Sequence, residues 1–77
     1  VESYKIQIKP SACKELELVG SKKDRQRIVS RIHSLADSPR PTGCEKLAAE
    51  EDKYRVRQGS YRVVYSIDDK RRLIVVS

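Results

Sequence analysis

The 77-residue chain contains no tryptophan, phenylalanine or methionine. Its core must therefore come from Ile, Leu, Val and Ala, with the rings of Tyr4, Tyr54, Tyr61 and Tyr65 as the only aromatic surface. Cys13 and Cys44 sit on unrelated segments without CxxC spacing, and His33 is the single histidine. That pattern indicates neither a zinc site nor a disulfide framework, and no metal or cofactor is expected. The plain reading of the two cysteines is buried free thiols in a reducing cytosol. Leu73 to Val76 is the longest apolar run, far too short to span a bilayer, and the first residues lack the basic and apolar regions of an export signal. These features predict a soluble, cytoplasmic protein. Gly-rich phosphate cradles and P-loop spacing are missing as well.

What remains is a polar, basic domain. Hydrophobic residues make up 38% and charged residues 36%, which places the chain among globular proteins rather than disordered ones. At this length one domain is expected over residues 1–77, with a thin core. The net charge of +6 is unevenly spread. Lys53 to Arg72 holds seven basic residues against Asp68 and Asp69, and so carries +5 of that excess.

Tyr4, Ile6 and Ile8 alternate with Lys5, Gln7 and Lys9, the period-two pattern of a half-buried strand. Pro10 suits the first turn of a helix, and Ala12, Leu16 and Val19 follow at helical spacing before Gly20, which predicts a helix from Pro10 to Val19. Ser21 and Asp24 resemble a capping box for a second helix ending near Asp37, with Ile28, Val29, Ile32, Leu35 and Ala36 on one face. The other face carries Lys22, Lys23, Arg25, Arg27 and Arg31, and reads as solvated. Ser38 to Gly43 breaks the helix, and Glu45 to Lys53 reads as a loop anchored by Leu47. Three strands follow, Tyr54 to Arg57, Tyr61 to Ile67 and Leu73 to Val76, joined by hairpins at Gln58-Gly59-Ser60 and Asp68-Asp69-Lys70. The order β-α-α-β-β-β predicts an α+β fold with a helical hairpin on an antiparallel sheet.

Alternation along the strands places Tyr54, Val56, Tyr61, Val63, Tyr65 and Ile67 on the core side. Arg55, Arg57 and Arg62 then project from the other side. Charged residues on a strand can simply oppose edge-to-edge aggregation. Arginine at all three positions fits phosphate better, because the planar guanidinium grips it bidentately and stacks on bases. His33, alone among basic residues, reads as a helix surface residue, and Asp68 and Asp69 read as turn formers.

The motif Tyr54-Arg55-Val56-Arg57, Gly59, Tyr61-Arg62-Val63-Val64-Tyr65, Ile67-Asp68-Asp69, preceded by Lys46-Leu47, resembles the RelE/ParE family of toxins from bacterial type II toxin–antitoxin systems. Lys9-Pro10-Ser11-Ala12 and Pro41-Thr42-Gly43 follow the same pattern, so the resemblance spans nearly the whole chain. It implies a RelE-like fold and, on the RelE branch, a ribosome-dependent endoribonuclease that cuts mRNA in the A site and blocks translation. In that class the ribose 2'-hydroxyl attacks the adjacent phosphorus. By the resemblance Arg55, Arg57 and Arg62 are the catalytic cations, and Lys46 and Lys53 join them in holding RNA. Arginine cannot act as a general base, because it keeps its proton in proteins, so these residues can only orient substrate and stabilise charge. RelE-type sequences also continue into a glycine-basic-arginine stretch and a tyrosine beyond the last strand. Their absence here predicts a shortened chain of weak or no cleavage activity. The implied partners are an antitoxin, the ribosome and mRNA. Two other readings remain open: a ParE-like inhibitor of DNA gyrase, and a non-catalytic module that binds RNA or antitoxin.

Overall fold

The computed structural model describes residues 3–47 and 52–77. The chain opens with β1 (Lys5–Ile8), whose alternating exposure follows the alternation of charge and side-chain size in its sequence. Lys9 is extended and precedes Pro10, the first residue of α1 (Pro10–Glu17). The missing N–H of proline costs nothing there, because the first helical N–H groups lack intrahelical partners anyway. α1 closes two residues earlier than its apolar spacing predicts, since Leu18 already acts as the cap and Val19 turns inward beyond it.

α2 (Lys22–Ser34) starts at Ser21, whose hydroxyl accepts the Asp24 backbone N–H at 3.3 Å. Ile28 and Ile32 bury one stripe of α2, and Leu35 in the turn that follows it is fully enclosed. The helix yields to turns over residues 35–37, short of the predicted end at Asp37.

Five strands form one sheet in the order β1-β5-β4-β3-β2, where β2 is Glu45–Lys46, β3 is Lys53–Gln58, β4 is Tyr61–Asp68 and β5 is Leu73–Val76. The arrangement is α+β, as the element order indicates, but the sheet is mixed. β1 runs parallel to β5, pairing Ile6 with Ile74, because the helix pair returns the chain over one face before the sheet is completed. β2 is also a correction. Glu45 and Lys46 pair with Arg55 and Tyr54, and the Leu47 N–H reaches the Lys53 carbonyl at 2.9 Å, so the start of the expected loop is an edge strand. The remainder of that loop, residues 48–51, lies outside the described residues.

Both connections between the last three strands are hairpins. Gly59, at φ +61°, takes the first position of a two-residue turn of the II' kind, a conformation that costs other residues strain. The second turn is longer than expected and runs over residues 69–72. Asp68 Oδ1 accepts the Arg71 N–H at 3.0 Å, and Arg72 adopts φ 51°.

Both helices cover one face of the sheet. Val56, Val63, Tyr65, Ile67, Ile74 and Val76 from the strands meet Ala12, Val19, Ile28, Ile32 and Leu35, and no polar residue is buried among the described residues. The end of this core is closed by polar contacts. Tyr65, with no exposed surface, donates its hydroxyl to the Pro39 carbonyl at 2.7 Å. Arg40 grips both oxygens of Asp69, at 2.9 and 3.4 Å, and Tyr4 donates to the same carboxylate at 2.6 Å. The Arg40 Nε donates to the Tyr54 hydroxyl at 3.1 Å, and Tyr54 stacks on Tyr65 with centroids 6.1 Å apart. The first strand, the helix exit and the β4–β5 turn are thereby tied together. The thiols depart from expectation. Cys13 is exposed on α1, because the buried stripe of that short helix passes through Ala12 and Leu16, and Cys44 is only partly covered.

Candidate functional site

The sheet face opposite the helices carries the predicted cations. In the β3–β4 register Arg57 stands directly across from Arg62, and Arg55 across from Val64. Because side chains alternate, Lys53, Arg55 and Arg57 form one row and Arg62 begins the next. Val64, on β4, and Leu73 and Val75, on β5, continue the same face as a partly covered apolar strip. Lys5 and Gln7 of β1 bound it on the far side, given the pairing of Lys5 with Leu73 and Gln7 with Val75.

Like charges directly opposite each other weaken a sheet. Arg57 and Arg62 nevertheless face each other, both exposed and without a side-chain hydrogen bond or ion pair among the described residues. Nothing in the fold asks for that pair.

Arg55 is different. Its Nη2 is held 2.5 Å from Glu45 Oε2, the residue directly across from it on β2. Arg55 first, then Arg57 and Arg62 through their fields, hold the Glu45 carboxyl below its ordinary value. All three guanidinium groups therefore favour negative charge at one point on the surface, the position of the Glu45 carboxylate. Arg55, unlike Arg57 and Arg62, thus has an internal acid as its partner.

Lys53 starts β3 on the arginine side and is half-buried. Lys46 does not join this face. It pairs with Tyr54, whose ring lies on the helix side, so the register sends the two residues the same way. The arrangement can bind and orient an anion and stabilise added negative charge, but its arginines cannot take up a proton. Among the described residues no group of His, Cys, Asp or Glu has the makings of a metal site. No helix among them is long and apolar enough to cross a membrane.

Two features escaped the sequence reading. Glu45 could have been suspected only if its two-residue strand had been recognised. The other is an apolar groove of about 340 Å³ between the helices and the start of β4, lined by Leu16, Leu18, Val19, Ile28, Tyr61 and Val63. Leu18, 82% exposed on its rim, is the only large hydrophobic side chain left in solvent among the described residues.

The class of protein to which this one-sided sheet belongs is given by comparison with known families. Residues 6–77 match the family of ParE toxins of type II toxin–antitoxin systems, and the chain belongs to that RelE/ParE family. It is similar to RelE of the archaeal RelE–RelB complex from Pyrococcus horikoshii, with a TM-score of 0.85 and 29% identity over 96% of this chain and 89% of that one. Toxin structures from E. coli are similar too. The intact RelBE complex gives a TM-score of 0.80 and 28% identity over 96% of this chain and 90% of the other, and isolated RelE gives 0.78 and 28% over 96% and 79%. No curated protein sequence matches the chain.

Proposed function

We propose that the chain is a toxin of the RelE branch, acting in the cytoplasm on ribosome-bound mRNA, with Arg55, Arg57 and Arg62 gripping the phosphates about the point at which the strand is cut. The observation that carries this reading is the register of the open face, which sets Arg57 directly across from Arg62, both exposed, in line with Arg55 and Lys53. In the reaction the ribose 2'-oxygen bonds to phosphorus and the bond to the 5'-oxygen breaks, leaving a cyclic phosphate and a 5'-hydroxyl. The 2'-hydroxyl must lose a proton and the leaving oxygen must gain one. The arginines do neither. Their part is to hold the strand in line and to stabilise the extra charge on the five-coordinate phosphorus, where each fixed donor contributes on the order of 10²–10³ in rate. Lys53 extends the same row toward the next phosphate.

Gyrase inhibition is the second reading, and it does not require the exposed Arg57–Arg62 pair that phosphate binding would use. The toxins of the P. horikoshii and E. coli structures are complexed with RelB antitoxins. An antitoxin is accordingly the partner expected here, with the apolar groove around Leu18 suited to an amphipathic segment of it.

The test is binding of the chain and of its Arg57→Ala and Arg62→Ala variants to purified ribosomes carrying A-site message, with any cutting of that message scored alongside. Binding about 10-fold or more weaker in each variant is expected, and any cutting falls with it. Unchanged binding in both, or a fall in DNA synthesis before protein synthesis on induction, would overturn the reading.

A further inference from the structure

A second group of donors lies on the other side of the β3 edge. Arg27, Ser30, Arg31 and Ser34 of α2 and Gln58 at the end of β3 line a notch of about 310 Å³. Arg27, Ser30, Arg31 and Gln58 can each donate a hydrogen bond into it, and no carboxylate lines the notch. Arg31 is half-buried, and its Nε is enclosed without a hydrogen-bond partner. Arginine cannot escape this position by losing its proton, so an anion is what would offset the loss of water around it. The neighbouring Arg27, one turn earlier, has only a marginal contact with Asp24 at 4.0 Å, and its own side chain lies largely in solvent. Ser34 spends its proton on the Arg31 carbonyl at 2.6 Å, which fixes the wall of the notch beside the guanidinium.

Position ties the notch to the outward face. Gln58 follows Arg57 in β3 and points to the opposite side of the strand. β2 pairs no further along β3 than Arg55, so at Arg57 and Gln58 no second strand separates the two surfaces. The geometry points to a second phosphate site in which Arg27 and Arg31, with Gln58, hold a backbone phosphate of an RNA strand that has passed over the arginine face and around the β3 edge. This inference rests on the RNA reading above and extends it to a surface that otherwise looks like a solvated helix.

The experiment measures binding of a fluorescently labelled, twelve-nucleotide single-stranded RNA to the full chain by anisotropy, over a range of KCl. Each lost phosphate contact flattens the log–log salt slope by about 0.7. Arg27→Gln and Arg31→Gln are each expected to flatten the slope by about that amount, and Arg57→Gln to do so independently. A flattening with Arg57→Gln but with neither helix variant overturns the notch and leaves the RNA reading standing. No flattening with any of the three overturns both. Because Arg31→Gln could disturb packing, the side-chain Nε–H resonance of Arg31 in the unmodified chain gives a second readout. A shift on adding the RNA at concentrations where inorganic phosphate leaves it unmoved supports the strand as ligand. An equal response to inorganic phosphate alone assigns the notch to a free anion and overturns the proposal.

Discussion

Replacing Glu45 with glutamine is the most direct probe of how the cationic face works. The Glu45 side chain is 65% exposed and that of Arg55 33%, so their ion pair is reached by water and can be displaced by another anion. In the unmodified chain an incoming phosphate must take Arg55 from Glu45, and the carboxylate left bare beside the strand keeps a salt cation there, so that contact releases no counterion on balance. Arg57 and Arg62 alone then contribute to the salt dependence of the face, about −1.4 in log–log slope at roughly 0.7 per contact on single strands. Once glutamine has replaced the carboxylate, all three arginines are available, and the contribution steepens to about −2.1. The difference means that the affinity advantage of Glu45→Gln grows about fivefold for each tenfold dilution of salt. Anisotropy titrations of a short RNA over a decade of KCl would measure it. Equal slopes and equal affinities for the two proteins would refute the claim that Glu45 occupies a phosphate position.

Three other outcomes follow from contacts elsewhere in the molecule. Tyr65→Phe removes the hydroxyl that satisfies the partly buried Pro39 carbonyl, so thermal unfolding should show a loss of about 1–2 kcal/mol, or some 4–16 °C in Tm. Asp69 is held below its ordinary 3.8 by Arg40 and then Tyr4. Its contribution is complete above that ordinary value and is lost as pH falls through the lower folded value, so thermal melts below about pH 4 should fall less steeply for Asp69→Asn than for the unmodified chain. Leu18→Asp should leave Tm nearly unchanged, since the side chain is exposed. Pull-down or calorimetry with the cognate antitoxin should nonetheless show binding about 10–100-fold weaker, the worth of burying one leucine.

Local chemistry carried the parts of the fold that a reader of the chain can anticipate. The β1 alternation, Pro10 at a helix start, Ser21 capping α2 and Gly59 in a tight hairpin are each decided by residues within a few positions of one another. Partners far apart in sequence were harder to see. The parallel pairing of Lys5–Ile8 with Leu73–Val76 leaves no local mark, and a two-residue strand at Glu45–Lys46 is too short for any periodicity. That strand decided two features of the candidate site. Its register set the carboxylate of Glu45 against Arg55 and sent Lys46 to the side of the sheet away from the arginine row. Arg31 looked like one of several cations on a wet helix face, and only the packing of α2 beside Gln58 distinguishes it. Cys13 was expected inside because free thiols usually are, whereas α1 is too short to bury more than one stripe.

The place of β5 in the sheet has a consequence for biosynthesis. It lies between β1 and β4, so the first of the five strands to be synthesised has no neighbour until the fifth is available. A nascent chain can close the β3–β4 hairpin as soon as both strands have emerged, but Lys5–Ile8 must wait for Leu73–Val76 to leave the exit tunnel. Such pairing between distant segments also slows folding. Until that moment the apolar side of the growing chain stays open to water, and to any chaperone that meets it.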